Sequence, residues 1–144
     1  MKLGLSISTY SDSETPTERY DIIERCLISL IDNLPENIYI NIVSDGITEE
    51  HRKLLSNYPF ELIERSYNGG IAETKNTGIK AILDNGCDIG FLCDDDMIFK
   101  NKEIFEKYAE TMTKTEIPHM CLFLEDNGKN CEKIDYLGTF IKKT

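Results

Sequence analysis

Three consecutive aspartates, Asp94-Asp95-Asp96, interrupt an apolar stretch, with Ile89-Gly90-Phe91-Leu92-Cys93 before them and Met97-Ile98-Phe99 after. Carboxylates this close repel one another, and something must offset the repulsion. Hard divalent cations can do so, because carboxylate oxygens are their preferred ligands. On an extended backbone, residues two apart share a face. Asp94 and Asp96 can therefore approach one cation, and the ligand it carries, together. The competing account is a solvated turn of strand-end aspartates, and the apolar flanks weigh against it.

Other residues have a chemical and a plain reading side by side. Asp45-Gly46 is a common turn pair, yet a carboxylate there can accept from the N–H donors of a nucleobase or from sugar hydroxyls. On the chemical reading Asp45 contributes to base recognition rather than to folding. Lys75 falls one turn into the helical stretch after Asn68-Gly69-Gly70. From there it can meet phosphate oxygens beside the helix N-terminus, or simply be solvated. Gly78 inside that helix costs about 1 kcal/mol relative to Ala, which points to close packing or close ligand approach. His51 and His119 have no convergent partners in the sequence.

The elements that must position these residues alternate along the chain. Leu3–Thr9 reads as a buried strand. Thr15 as N-cap, Pro16 at the first helical position and Glu18 closing a capping box then predict a helix. Its apolar pairs are Ile22/Ile23, Cys26/Leu27 and Leu30/Ile31, and it stops near Asn33-Leu34-Pro35. A strand over Ile38–Ser44, a short helix over Thr48–Tyr58 and a strand over Phe60–Ser66 follow. Ile71, Ala72, Ile79, Ile82 and Leu83 form the expected stripe of a further helix, ended by Asn85-Gly86. A fourth strand (88–93), a helix (101–115), a fifth strand (119–124) and a turn at Glu125-Asp126-Asn127-Gly128 complete the pattern. Strands alternating with helices predict an α/β sandwich with a mostly parallel sheet and helices on both faces, one domain over residues 1–144.

In such sheets ligands bind beyond the carboxyl ends of the strands. Ser8-Thr9-Tyr10, Ser44-Asp45-Gly46, Asn68-Gly69-Gly70 and Asp94-Asp95-Asp96 should then share one edge.

Composition removes several function classes. A net charge of −10 over 144 residues argues against a nucleic-acid backbone as partner. With 40% hydrophobic and 29% charged residues the chain can build a core. No run approaches the ~20 apolar residues of a membrane span, and the strand-like N-terminus does not suit a signal peptide. The five cysteines include no C-x-x-C pair, and neither histidine has ligand spacing to a cysteine pair. Free thiols in a reducing, cytoplasmic compartment are expected rather than a zinc site. Dinucleotide and P-loop fingerprints are absent.

Taken together, the motifs resemble the nucleotide-sugar-binding part of a family 2 glycosyltransferase with the Rossmann-like GT-A fold. Leu5-Ser6-Ile7-Ser8-Thr9-Tyr10-Ser11 is similar to the family's first-strand I-I-P-T-Y-N. The segment Ile42-Val43-Ser44-Asp45-Gly46-Ile47-Thr48-Glu49 resembles V-V-D-D-G-S-T-D, with Ser44 and Ile47 as departures. Asn68-Gly69-Gly70-Ile71-Ala72-Glu73-Thr74-Lys75-Asn76-Thr77-Gly78 resembles N-x-G-x-x-x-A-R-N-x-G, and residues 86–96 look like the strand carrying the D-x-D motif.

The resemblance implies a nucleotide-diphosphate sugar as donor, UDP first among the nucleotides, and transfer of the sugar to an acceptor hydroxyl with inversion. By it, Ser8 and Tyr10 line the pocket beside base and ribose, and Asp45 bonds the base. Lys75, in place of an arginine, reaches phosphate without a bidentate fork. Asp94 and Asp95 lie on the donor, and Asp94 with Asp96 holds a Mn²⁺ or Mg²⁺ ion. The family's catalytic base belongs to a later acidic motif. Glu125-Asp126 is the later acidic pair, but Asn127-Gly128 marks it as a turn, so no base is assigned. The chain is expected to be short or truncated on the acceptor side. It is then either a transferase acting on a glycan, protein or lipid, or a donor-binding module that depends on another segment, a partner domain or self-association.

Overall fold

The computed structural model describes residues 1–116, 118 and 120. β-Branched and leucine-rich segments form four strands: β1 (Leu3–Thr9), β2 (Ile38–Ser44), β3 (Glu61–Glu64) and β4 (Ile89–Asp94). Between them run α1 (Thr17–Ile31), α2 (Glu49–Leu55) and α3 (Ile71–Asp84). All of these lie in a compact unit over Met1–Lys102. A second unit begins at Glu103 with α4 (Glu103–Thr115), which carries an i,i+4 ion pair from Lys107 to Glu103 at 3.1 Å. The strand expected over 119–124 falls, Met120 apart, outside the described residues, as does the turn at 125–128. Among the described residues no helix is long and apolar enough to cross a membrane.

The four strands form one parallel sheet in the order β3-β2-β1-β4. Strand β1 is buried along its whole length, so its alternating side chains define the two faces. Leu3, Leu5, Ile7 and Thr9 point to one face. Residues of α1 and α2 meet that face: His51 of α2 bonds Thr9, and Arg52 of α2 pairs with Glu64 of β3 at 2.6 Å. From α1, Ile23, Cys26, Leu27 and Leu30 are buried, each worth roughly 1.5–3 kcal/mol when apolar and fully enclosed. The other face carries Gly4, Ser6 and Ser8, and α3 covers it.

That face is small and polar, and this changes how α3 sits. Of the apolar stripe read from the sequence, only Ile82 is buried; Ile71, Ile79 and Leu83 are exposed, the last at 65%. The helix instead turns Thr74, Gly78 and Ile82 to the sheet. Its backbone lies so close that a Cβ on Gly78 would stand 1.9 Å from Ser6 Oγ. Ser6 in turn donates to Asn41 Oδ1 at 2.7 Å, and Asn41 Nδ2 donates to the Gly78 carbonyl at 3.4 Å. Gly78 thus serves packing. At the start of α1, Thr15 does not cap the helix. Its hydroxyl donates to Asp12 Oδ1 at 3.3 Å and accepts from the Asp12 N–H at 2.9 Å, so Pro16 takes the cap position without a side-chain bond.

Gly78→Ala should destabilise the fold. A helical alanine gains about 1 kcal/mol over glycine, but overpacking a filled site costs about 1–3 kcal/mol. Ser6 cannot turn away without leaving Asn41. Denaturant unfolding should show a lower midpoint, and an unchanged or raised midpoint would refute the close-packing account.

Candidate functional site

Strand order reverses between β1 and β4, since β2 and β3 lie on one side of β1 and β4 on the other. Such a switch point opens a crevice at the carboxyl edge. A cavity of about 410 Å³ lies there, a size that suits a small ligand. Its walls come from all four predicted segments: Ser8 and Tyr10 around the end of β1, Asp45 after β2, Asn68 and Gly70 before α3, and Asp94, Asp95 and Asp96 around the end of β4. A second cavity of about 570 Å³ adjoins it, sharing Tyr10, Asp45 and Asn68 and adding Asp12, Arg52, Arg65 and Tyr67.

The triplet, of which only Asp94 belongs to β4, divides by exposure. Asp94 and Asp96 are exposed, as residues two apart on one face should be. Asp94 accepts from Lys75 Nζ at 2.8 Å. Asp96 alone of the three carries no ion pair among the described residues. Asp95 faces the other way and is buried, with one oxygen bonded by Arg19 and the other by Thr9. No group of three or more potential ligands is assembled among the described residues. Two outward carboxylates nevertheless fit a cation such as Mg²⁺, which takes one or two protein carboxylates and completes its shell with substrate phosphates and water.

Asp45 is built into the backbone around it. Its Oδ1 accepts from the Gly69 N–H at 3.0 Å and pairs with Arg65 at 3.0 Å, while Oδ2 accepts from the Gly70 N–H at 2.7 Å. The side chains of Arg65 and Asp45 are 9% and 7% exposed, so this is a buried pair. Arg65 also binds Glu73 and lies 5.1 Å from the Tyr67 ring centroid. The clasp sets the Asn68–Gly70 turn, where Gly70 adopts φ 88°, a conformation that favours glycine. The first turn of α3, which has no side-chain cap, thereby opens into the smaller cavity at Ile71 and Thr74. An expectation that Asp45 serves base recognition rather than folding therefore fails in its second half. The carboxylate does line both cavities, with one Oδ2 lone pair to spare.

Ser8 is buried in the cavity wall, opposite Asp94 in the sheet register. Tyr10 is part-exposed, its hydroxyl donating to Asp12 at 2.7 Å, a bond that raises the phenol above its ordinary value and lowers the carboxyl. Ser44 is fully buried and donates to the Gly46 carbonyl at 2.6 Å.

Comparison with known proteins matches this arrangement. The description "Glycosyl transferase family 2" fits residues 15–128. The chain belongs to glycosyltransferase family 2. It is 40% identical over 122 residues to a glycosyltransferase of Acanthamoeba polyphaga mimivirus, covering 83% of this chain and 47% of that protein. It is also 29% identical over 100 residues to a glycosyltransferase of Bacillus subtilis strain 168, covering 66% of this chain and 28% of that one. The chain thus spans less than half the length of either relative. Its parallel sheet with helices on both faces is the Rossmann-like, GT-A arrangement of the family.

Three residues of this family 2 domain escape a reading of its sequence. Arg65 looks like part of a strand, although its charge before Asn68-Gly69-Gly70 answers Asp45 on the neighbouring strand. Arg19 sits in the first turn of α1, where the helix dipole disfavours a cation; that misfit was the available signal. His51 has partners after all: Nδ1 lies 2.8 Å from Ser11 Oγ, Nε2 lies 3.3 Å from Thr9 Oγ1, and its ring packs against Tyr20. Only the fold brings them together.

Two outcomes follow. Asp45→Asn leaves one of the two glycine N–H groups facing an amide NH2 instead of an acceptor and removes the anion from Arg65, and should cost about 3 kcal/mol in denaturant unfolding; an unchanged midpoint would show that the clasp contributes nothing. Burial lowers the His51 pKa below its ordinary 6.5. As pH falls, the unfolded chain then takes up a proton before the folded one, so this stability is complete above about 6.5 and declines below it. Unfolding free energy measured between about pH 6.5 and 5 should fall with pH, and less steeply in His51→Gln.

Proposed function

We propose that this domain binds a nucleoside-diphosphate sugar together with Mn²⁺ or Mg²⁺ and transfers the sugar to an acceptor hydroxyl with inversion. UDP is the nucleotide to test first. The reading is carried by one observation: Asp94, Asp96 and the uncapped N-terminus of α3 line a single crevice, with Lys75 bonded to Asp94. A diphosphate suits that mixture. Helix N-termini bind anions through free N–H groups, and Lys75 can exchange Asp94 for a phosphate oxygen. The exchange costs little, because the Lys75–Asp94 pair is part-exposed and such pairs contribute about 0–1 kcal/mol.

Asp94 and Asp96 would hold the cation, which when bound stabilises charge on the departing nucleoside diphosphate. Ser8 and Tyr10 would line base and ribose, and the spare lone pair of Asp45 would accept from the base. The free thiols Cys26, Cys87 and Cys93 suit a cytoplasmic setting, with burial raising Cys26 to about 11 and so suppressing its thiolate.

A second reading, a donor-binding module without its own base, has specific support. Among the described residues the crevice carboxylates are engaged: Asp94 with Lys75, Asp95 with Arg19 and Thr9, Asp45 with Arg65 and two glycines. Asp96 is left, and the cation claims it. General base catalysis is worth about 10²–10⁴-fold, so the module would bind donor and turn over very slowly.

Calorimetric titration of UDP with Mn²⁺ and with chelator tests the main reading. Affinity should rise with Mn²⁺, and Asp96→Asn should lose that rise while remaining folded. Equal affinity with and without chelator would refute it. A steady-state assay with simple acceptors separates the two readings, since turnover near ~10 s⁻¹ would exclude the module.

A further inference from the structure

We propose that Asp95, the middle aspartate of the triplet, is a positioning residue, and that its pairing with Arg19 aims Asp94 and Asp96 into the crevice. The effect on ligand binding rests on the donor reading above; the anchor itself does not.

Asp95, the first residue past β4, is turned inward and 3% exposed, between two exposed neighbours. A carboxylate so buried has to be paired or bonded, and both of its oxygens are, by Arg19 of α1 and Thr9 of β1. The ladder between β1 and β4 ends with Ser8 opposite Asp94. Beyond that pair the sheet no longer dictates the path of the chain, and the Asp95 side chain does so instead. The Met97 backbone bonds Cys26 of α1, and a further fixed point is Phe99, whose N–H donates to Ser29 Oγ at 3.0 Å and whose carbonyl accepts from Asn33 Nδ2 at 2.9 Å. Ser29 belongs to α1 and Asn33 follows it closely. The helix and its C-terminal flank therefore strap the acidic segment at both ends.

Thr9 is itself held, by His51 through its hydroxyl and by the Asp45 N–H at 3.1 Å through its carbonyl. One network thus joins the ends of β1, β2 and β4. Arg19, 31% exposed, also accounts for itself: a cation in the first turn of α1 opposes the helix dipole unless an anion faces it.

The experiment uses the full chain with Asp95→Asn, Arg19→Gln, their double variant and Arg19→Lys. Unfolding by denaturant gives a double-mutant cycle. Titration with UDP, with and without Mn²⁺, is run at a temperature where each variant is folded. Both single variants should lose stability, and the double should be little worse than the worse single. Each single should bind UDP with Mn²⁺ about 10–100-fold more weakly, the usual loss when a ligand's supporting partner is removed. Binding should still strengthen on adding Mn²⁺, unlike in Asp96→Asn, and Arg19→Lys should recover part of the loss. If Asp95→Asn does not fold, the contrast between Arg19→Gln and Arg19→Lys carries the test.

Additive stability losses, or unchanged UDP affinity in folded single variants, would overturn the proposal. So would an Asp95→Asn variant that loses its Mn²⁺ response as Asp96→Asn does, for Asp95 would then be a ligand. A wild-type chain that binds no UDP would overturn the donor reading instead. In that event coupling in the stability cycle would support the anchor, and additivity would overturn it.

Discussion

The ladder joining β1 to β2 on one side and to β4 on the other is parallel and in step at its carboxyl end. Thr9 stands opposite Ser44, and Ser8 opposite Asp94. Because paired residues in a parallel sheet point the same way, Ser8 and Asp94 face α3; Thr9 faces α1 and α2, and Asp95, just past the ladder, bonds it there. Lys75 of α3 can therefore meet only the outward aspartate, and Arg19 of α1 only the inward one. A slip of one residue between β1 and β4 would exchange these faces and bury the wrong carboxylate. Register thus sets the face on which Asp94 stands, and the bonds of Asp95 set the turn beyond it.

Register also explains why so many carboxylates stand at one edge without unfolding it. They fall into two populations. Asp45 and Asp95 are buried, and each has an arginine and further donors around it: Arg65 with two glycine N–H groups, and Arg19 with the Thr9 hydroxyl. Asp94 and Asp96 are outward and solvated, so their mutual repulsion is screened. The buried acids shape the backbone that presents the outward ones. An acidic cluster in sequence is thus half framework and half surface, and only the fold sorts one from the other.

Much of this was legible in the chain. β1 and β2 lie where β-branched runs bounded by polar residues place them, and the convergence of four loops follows from parallel order alone. What stayed hidden was whatever depended on the partner face. Apolar spacing in α3 marks Ile71, Ile79 and Leu83 as part of one stripe, yet they are exposed, because periodicity reports a hydrophobic stripe and not the surface it must meet. Here that surface is Gly4, Ser6 and Ser8, and close approach through Gly78 outweighed apolar area. The Asp45 role was obscured for a related reason. Asp-Gly signals a local turn, whereas its partners lie on the loop before α3 and become neighbours only through sheet order.

Net charge poses the last problem: a chain of charge −10 is proposed to take an anionic donor. Long-range repulsion is limited, since at physiological ionic strength charges more than about 8 Å apart are largely screened. Local charge decides, and locally the crevice is mixed. Lys75 is bonded to Asp94, Arg19 to Asp95, and the first turn of α3 lines the same crevice. In the free protein Lys75 and Asp94 neutralise each other across the cleft. A diphosphate arriving alone would take Lys75 and leave Asp94 and Asp96 facing it as uncompensated anions. A diphosphate arriving with a divalent cation would satisfy all of them. The same two aspartates that would repel the bare nucleotide would then hold its metal complex, and selection for the metal-bound form would follow from the charge arrangement itself.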